Sequence, residues 1–333
     1  MGIPTVKDRV VQTAVLLILE PIFETDLQPE QYAYRPERGA WDALERTMAL
    51  LKAGHGEVLD ADLSGYFDSI PHAELMKSVA RRVSDRHVLH LLKMWLEAPV
   101  EETDARGRKQ WSSRSGRGTP QGAPLSSLLA NIYMRRFVLG WKVLGHAGKL
   151  AAEIVNYADD FVICCRGTAR EALQTTRDMM TQLRLTINDR KTRICRVPGG
   201  TFRFLGYTIG TFWWPVTGES RTSLRPSPQA VQKLCRSLNE QMSRRWLFLS
   251  PEEMVKNLHL RLTGWVNYFQ LGQVSKAYRA VDQHVRYRLR KWLCDKYQVR
   301  GSGYARFSDR YLAEELGLLT LLELKCNLLI ANT

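Results

Sequence analysis

Cysteine is sparse and scattered in this chain of 333 residues: the six cysteines, at 164, 165, 195, 235, 294 and 326, form no C-x-x-C pair and no Cys/His cluster of zinc spacing. A structural zinc module and a disulfide framework are thereby excluded, and buried thiols in a reducing compartment are expected. Long apolar runs are missing too. The longest early one, Ala14 to Leu19, is broken by Glu20-Pro21, and no basic-then-apolar leader precedes it, so a cytoplasmic protein without a membrane span is expected. No Ser/His/Asp or Cys/His order suggests acyl chemistry, and His72, just after Pro71, reads as a helix-start residue. Gly199-Gly200 sits in no phosphate-loop motif, and no repeat or low-complexity tract appears.

Acid is in short supply, and unevenly so. Of a net charge of +14, residues 201 to 333 carry +10, from 20 Lys and Arg against 10 Asp and Glu, which leaves +4 for the 200 residues before them. A basic C-terminal third points to a polyanion partner gripped through its phosphates.

Against that background the acids that remain stand out. Tyr157-Ala158-Asp159-Asp160 lies between the apolar runs Ile154-Val155 and Phe161-Val162-Ile163, which read as two strands with the acidic pair at the bend of a β-hairpin. Earlier, Glu57-Val58-Leu59-Asp60-Ala61-Asp62-Leu63 is another apolar strand that ends on an acid. Carboxylates on neighbouring strand ends can hold two Mg²⁺ ions roughly 4 Å apart, the spacing of in-line nucleotidyl transfer. Asp-Asp alone is usually a solvated turn. Order and company reverse that reading: the lone-acid strand, then Gly118-Thr119-Pro120-Gln121-Gly122, the hairpin, Asn188-Asp189-Arg190-Lys191-Thr192, and Phe204-Leu205-Gly206-Tyr207. Asp60, two residues before Asp62, shares its sheet face and competes with it as a ligand. Lys191 reads either as a group that protonates a pyrophosphate leaving group or pairs with its charge, or as an ordinary surface lysine.

Helical apolar spacing covers 8 to 24 and 40 to 53; strand is expected at 57 to 63, helix at 72 to 98 and 125 to 144, a hairpin at 153 to 165 and helix at 169 to 185. Strands near 193 to 196 and 202 to 209 follow, and then helices at 228 to 245, 251 to 270 and 275 to 297. That order implies an α+β fold with a mostly antiparallel sheet. In the last helix Arg279, Arg286, Arg288, Arg290 and Lys291 fill much of the surface left by Tyr278, Val281, Val285, Leu289 and Trp292, and a phosphate-facing surface is expected there.

The chain resembles the reverse transcriptases encoded by group II introns, which combine polymerase and maturase activity. The resemblance runs from Gly2-Ile3-Pro4-Thr5-Val6-Lys7-Asp8-Arg9 through Tyr34-Arg35-Pro36 and Asp62-Leu63-Ser64-Gly65-Tyr66-Phe67-Asp68 to Gly264-Trp265-Val266-Asn267-Tyr268-Phe269. It implies a right-hand polymerase: helical fingers over 1–56, an antiparallel-sheet palm over 57–215 with fingers helices at about 72–112, and a three-helix thumb or maturase domain over 216–333. It favours Asp62 and Asp159 as the carboxylates that bridge two Mg²⁺ ions, with Mn²⁺ as an alternative and Asp160 as the weaker or outer ligand. Phe67 falls where the family has an aromatic steric gate beneath the deoxyribose, and Gln121 where it has a contact to the incoming nucleotide. Leu63 belongs to the same nucleotide-binding set, and Arg9 and Arg35 would hold template or triphosphate.

The partners implied are intron RNA or an RNA template, a DNA primer or target, and deoxynucleoside triphosphates; a dimer stays open. Two rival readings stay open as well: an RNA-binding splicing cofactor with a vestigial polymerase, and a domesticated relative in defence or repair. The turn reads Gln121-Gly122-Ala123 where many relatives have a second glycine. Relatives carry an N-terminal extension and a basic fingers hairpin before the point where this sequence begins, so a weak, poorly processive polymerase is expected. No endonuclease module of zinc or His-Asn-His type is read at the other end.

Overall fold

The structure, a computed structural model, describes residues 4–103, 107–112, 116–120, 122–214 and 218–331. Gln121 lies outside them. The chain forms two compact units, Met1–Leu205 and Gly206–Thr333.

The first unit runs α1 (Val6–Glu24), α2 (Ala40–Lys52), β1 (Glu57–Asp62), α3 (Tyr66–Ser69), α4 (His72–Val79), α5 (Arg86–Glu97), β2 (Val100–Thr103) and β3 (Lys109–Ser112). It continues with α6 (Ser126–Val143), α7 (His146–Lys149), β4 (Ala152–Tyr157), β5 (Asp160–Cys165), α8 (Ala169–Gln182), β6 (Arg193–Arg196) and β7 (Thr201–Phe204). Its main sheet has the order β4-β5-β1-β6, with every neighbour antiparallel. β1 is an inner strand, so Val58, Leu59 and Ala61 are buried, with Glu57, Asp60 and Asp62 half-buried between and beside them. Each buried Leu or Val stabilises by roughly 1.5–3 kcal/mol, an upper range for a chain that is not fully extended when unfolded.

Helix α6 is the spine of this unit. Leu128, Ile132, Met134, Phe137, Val138 and Trp141 bury it on all sides, which is the pattern of a core helix rather than a surface one. The polar groups carried inward with it are satisfied. Tyr66 Oη donates to the Ala130 carbonyl at 2.6 Å, Tyr133 Oη to Leu183 at 2.6 Å, and Trp141 Nε1 to Ala152 at 3.0 Å. Those bonds tie α6 to α3, to the end of α8 and to β4.

Three expectations need correction. The helical stretch read at 72 to 98 is two helices, because Asp85 caps α5 by accepting from the amides of His87 and Val88 at 2.8 and 3.0 Å. The helices read as reaching about 112 stop at Glu97, and Val100–Thr103 and Lys109–Ser112 pair as an antiparallel hairpin. The strand read at 202 to 209 is broken at Leu205 and Gly206, both with positive φ.

The second unit begins with a hairpin of β8 (Tyr207–Trp214) and β9 (Glu219–Pro226), followed by α9 (Pro228–Gln241), α10 (Pro251–Tyr268), α11 (Ser275–Tyr297) and α12 (Leu321–Ala331). The three expected helices are present, and α12 is a fourth. The start of α10 is marked twice: Pro251 occupies its first turn, and Ser250 and Glu253 form a capping box, the Glu253 amide donating to Ser250 Oγ and the Ser250 amide to Glu253 Oε2. Leu258, Leu262 and Val266 of α10 pack with Val281, Val285, Leu289 and Trp292 of α11. No helix among the described residues is long and apolar enough to cross a membrane.

Arg290 is not a surface base. It is buried at 2% exposure in this second core, its Nε donating to the Phe307 carbonyl at 2.7 Å, its Nη2 pairing with Asp309, and its guanidinium lying 3.7 Å from the centre of the Tyr304 ring. A guanidinium so engaged holds the 303–309 segment against α11 and has no donor to offer RNA. Arg290→Met is therefore expected to destabilise the protein by about 2 kcal/mol, the loss of hydrogen bonds made by a charged group. Arg279→Met and Lys291→Met, at exposed positions, should stay within about 0.5 kcal/mol by denaturant melts.

Candidate active site

Antiparallel pairing sets Asp62, the last residue of β1, directly across from Asp160, the first of β5. Residues so paired project from the same face with Cβ atoms about 4.5–5.5 Å apart. β4 and β5 are joined by a two-residue turn, Ala158-Asp159, closed by the Tyr157–Asp160 pair. Ala158 sits at φ 56°, a strained value for a residue with a side chain, so the turn is over-determined by what surrounds it. Asn156 supplies much of that: it is buried, exchanges main-chain bonds with Glu30 and Tyr32 at 2.8 and 3.0 Å, and donates through Nδ2 to the Ala158 carbonyl at 2.8 Å. The 30–33 segment is held in turn by Gln31 Nε2 on the Asn131 carbonyl and by Asn131 Nδ2 on Ala33.

The structure brings the three expected acids together at the adjoining ends of β1 and β5 and in the turn between β4 and β5. Asp160 is the cross-strand partner of Asp62, and Asp159 is in the turn beside the Tyr34 phenol, whose pKa is raised by burial and by the Asp159 charge. Asp160 reaches solvent at its edge, yet the sheet around it displaces most of the water a carboxylate would hold. Its pKa is pushed up to about 6, first by that desolvation, then by the charges of Asp159 and Asp62, with Lys191 opposing. Asp60 lies one pleat back on the same face, opposite Arg193, and is also pushed up to about 6, chiefly by burial.

Asp62 is clasped by the loop after α8. Lys191 Nζ lies 3.3 Å from Asp62 Oδ1 and 3.2 Å from Oδ2, and Asn188 Nδ2 donates to Oδ2 at 3.2 Å. The main chain repeats the clasp, with the Asn188 amide on the Asp62 carbonyl at 2.8 Å and the Asp62 amide on Thr192 Oγ1 at 3.4 Å. Asn188 and Thr192 were not singled out from the sequence as site residues. Their only signal was membership of the polar turn that holds Lys191.

Phe67, on α3, is half-buried against the core edge and meets Tyr66 edge to face at 5.7 Å. Its carbonyl accepts from the Thr119 amide at 2.7 Å, and the Gly118 amide donates to Ile70 at 2.8 Å, so the 116–119 segment is strapped to α3. Gly118 has φ 86°, and a Cβ there would stand 3.0 to 3.2 Å from the backbone of Asp68. Leu63 is buried and bridges Ile187, which leaves only its main chain to offer a nucleotide.

Arg9 is exposed on α1. Arg35 is not available: its side chain is 5% exposed, bound to Glu24 through Nε at 2.9 Å and to the carbonyls of Gln28 and Gln31 through Nη1 at 2.7 and 2.8 Å. Its expected role on template or triphosphate is corrected to an internal clamp on the end of α1. The bases of α11 do not form one surface either. Arg279 and Lys291 are exposed, Arg286 and Arg288 half-buried and Arg290 buried. At 100° per residue Arg288 falls on the side of the helix opposite Arg279.

The resemblance implies a divalent cation, and the donors fit it in kind. Carboxylate oxygens are the ligands of Mg²⁺ and Mn²⁺, and Asp160, whose pKa is raised by burial and by the charges of Asp159 and Asp62, sits where positive charge would be favoured. Among the described residues, however, no three His, Cys, Asp or Glu side chains are gathered into a ready ligand shell. Lys191 and Asn188 occupy the oxygens of Asp62 instead.

Residues 1–209 match the family described as reverse transcriptase (RNA-dependent DNA polymerase), and residues 231–311 match the maturase-specific domain of group II introns. The chain belongs to the reverse transcriptase family and carries the group II intron maturase-specific domain. It is 34% identical to Protein YkfC of Escherichia coli over 63% of this chain and 62% of that protein. It is also 34% identical to the group II intron-encoded protein LtrA of Lactococcus lactis over 43% of this chain and 23% of that protein. The chain therefore spans less than two thirds of the length of either relative. Among solved structures, apo telomerase from Candida tropicalis covers 100% of this chain and 60% of its own at 15% identity and a TM-score of 0.48.

Gly118→Ala should be markedly less stable than the parent, by about 1–3 kcal/mol, because the new methyl meets the Asp68 backbone and the φ disfavours it. Gly116→Ala, also at positive φ but with open space around it, should lose less. Equal denaturation midpoints for the two variants would mean that the strap on α3 yields freely.

Proposed function

We propose that this chain is an RNA-directed DNA polymerase of group II intron type, with fingers over 1–56, palm over 57–215 and thumb with maturase domain over 216–333. The observation that carries the reading is the pairing of Asp62 with Asp160 across two strands, with Asp159 in the turn between β4 and β5. Lys191 is the one cation the structure sets against these carboxylates, on Asp62, and the repulsion that remains among them would be relieved by bound cations. Bound Mg²⁺ would supply Lewis-acid activation of the primer 3′-hydroxyl and charge neutralisation on the triphosphate.

The chain's own residues do the rest. Asp62 and Asp159 would hold the ions, with Asp160 as the outer ligand, and the Asn188 and Thr192 clasp keeps Asp62 at the end of its strand. Lys191, released from Asp62, is within reach of the departing diphosphate as a proton donor or counter-charge. The Phe67 ring, braced by Tyr66 and by the 116–119 strap, would clash with a ribonucleotide 2′-hydroxyl. Gln121 would contact the incoming nucleotide. RNA template, DNA primer and deoxynucleoside triphosphates are the substrates on this reading. The match of residues 231–311 to the maturase-specific domain supports a second role in intron splicing.

Primer extension on an RNA template with Mg²⁺ tests the reading. Asp62→Ala or Asp160→Ala should abolish extension while the melting temperature and RNA binding hold. Extension within tenfold of the parent in both variants would sink the assignment. If splicing depends on binding alone, the same variants should still promote it.

Replacing Phe67 by Val should raise ribonucleotide incorporation relative to deoxyribonucleotide in single-nucleotide assays. An unchanged ratio would place the gate elsewhere.

A further inference from the structure

The first unit contains an arginine-lined cavity that the carboxylate chemistry does not use. It has a volume of about 440 Å³ and is bordered by Arg117, Arg177, Arg184 and Asp189 together with Thr181 and Thr186. Arg177 is committed to Asp189 by an ion pair of 2.7 Å. Arg117 and Arg184 pair with no carboxylate among the described residues, and the charges of both are felt at one phenol, that of Tyr133. With Arg177 and Asp189 cancelling, the cavity presents two uncompensated guanidinium groups, each able to grip two oxygens of a phosphate in parallel.

Backbone strain supplies an independent observation. Arg184 ends α8 with φ 55°. Its amide donates to Thr181 at 3.0 Å and the next amide, of Leu185, to Met180 at 2.9 Å, the bond pair of a Schellman cap. Glycine relaxes that position and arginine strains it. A side chain kept at such a place points to a use for the side chain. The position of the cavity suggests which use. Its 186–189 wall is the segment that runs beside Leu63 and Ser64 and then clasps Asp62, the Ser64 amide donating to Thr186 at 2.9 Å. Arg117 stands immediately before the Gly118 strap.

We propose that this cavity is an anion site for a diphosphate and receives the pyrophosphate released at the carboxylate site, an inference that rests on the polymerase reading above. The phosphate chemistry is shared with a nucleic-acid backbone, so the test separates the two sources. Pyrophosphate is titrated calorimetrically into the full chain without divalent cation, a condition in which the three acids repel it. The parent should bind saturably. Arg117→Gln and Arg184→Gly should each weaken binding tenfold or more, and Arg184→Gly should keep or raise the melting temperature because glycine suits the cap. Absence of saturable binding, or binding by both variants equal to the parent's, overturns the proposal. So does competition by a short single-stranded RNA that disappears in Arg184→Gly while pyrophosphate binding does not, since the strand would then be the occupant. If extension survives Asp62→Ala, the polymerase reading falls and the titration still reports on the anion site. If extension is lost and the arginine variants bind like the parent, only the diphosphate site falls.

Discussion

The antiparallel pairing of β1 with β5 is the constraint on which the rest of the first unit depends. It sets Asp62 and Asp160 on one face at the sheet's edge of polarity, where like charges oppose each other and water is partly excluded. Nothing local favours such a pair. It persists because β1 is an inner strand, held by β5 on one side and β6 on the other, and because Val58 on one face and Leu59 and Ala61 on the other are all buried, so that a one-residue slip would carry Asp60 and Asp62 onto the face that now buries Leu59 and Ala61.

Everything around the pair offsets its repulsion or fixes its geometry. Lys191 brings a charge, Asn188 and Thr192 bring hydrogen bonds, and the buried Gln31, Asn131 and Asn156 hold a strained turn in place. These groups come from four separate stretches of chain. Such buried hydrogen bonds stiffen the turn, and the low surrounding dielectric makes each missing partner expensive. The arginine cavity extends the same logic, since its wall continues the loop that clasps Asp62.

In the second unit, charge is divided between grip and structure. Arg290 shows the division: a base within a basic helix, it is consumed by a carbonyl, a carboxylate and an aromatic ring. Arg279 and Lys291 remain open to solvent. Net charge foretells a polyanion partner, and says nothing about which guanidinium is left to meet it.

The order of motifs, the hydrophobic periods and the two acidic strand ends were legible in the chain alone, because period and turn chemistry are properties of neighbours in sequence. They were enough for an α+β class, an antiparallel sheet, nearly all the long helices and the family. What only the tertiary structure decided was pairing at a distance. Asp160 rather than Asp159 lies across from Asp62, Asn188 and Thr192 join the site, Arg35 and Arg290 are spent inside the protein, and Arg117 meets Arg184 at one cavity. Each of these depends on which residue from another part of the chain arrives alongside. That is set by register and packing of the whole core, which no local pattern encodes.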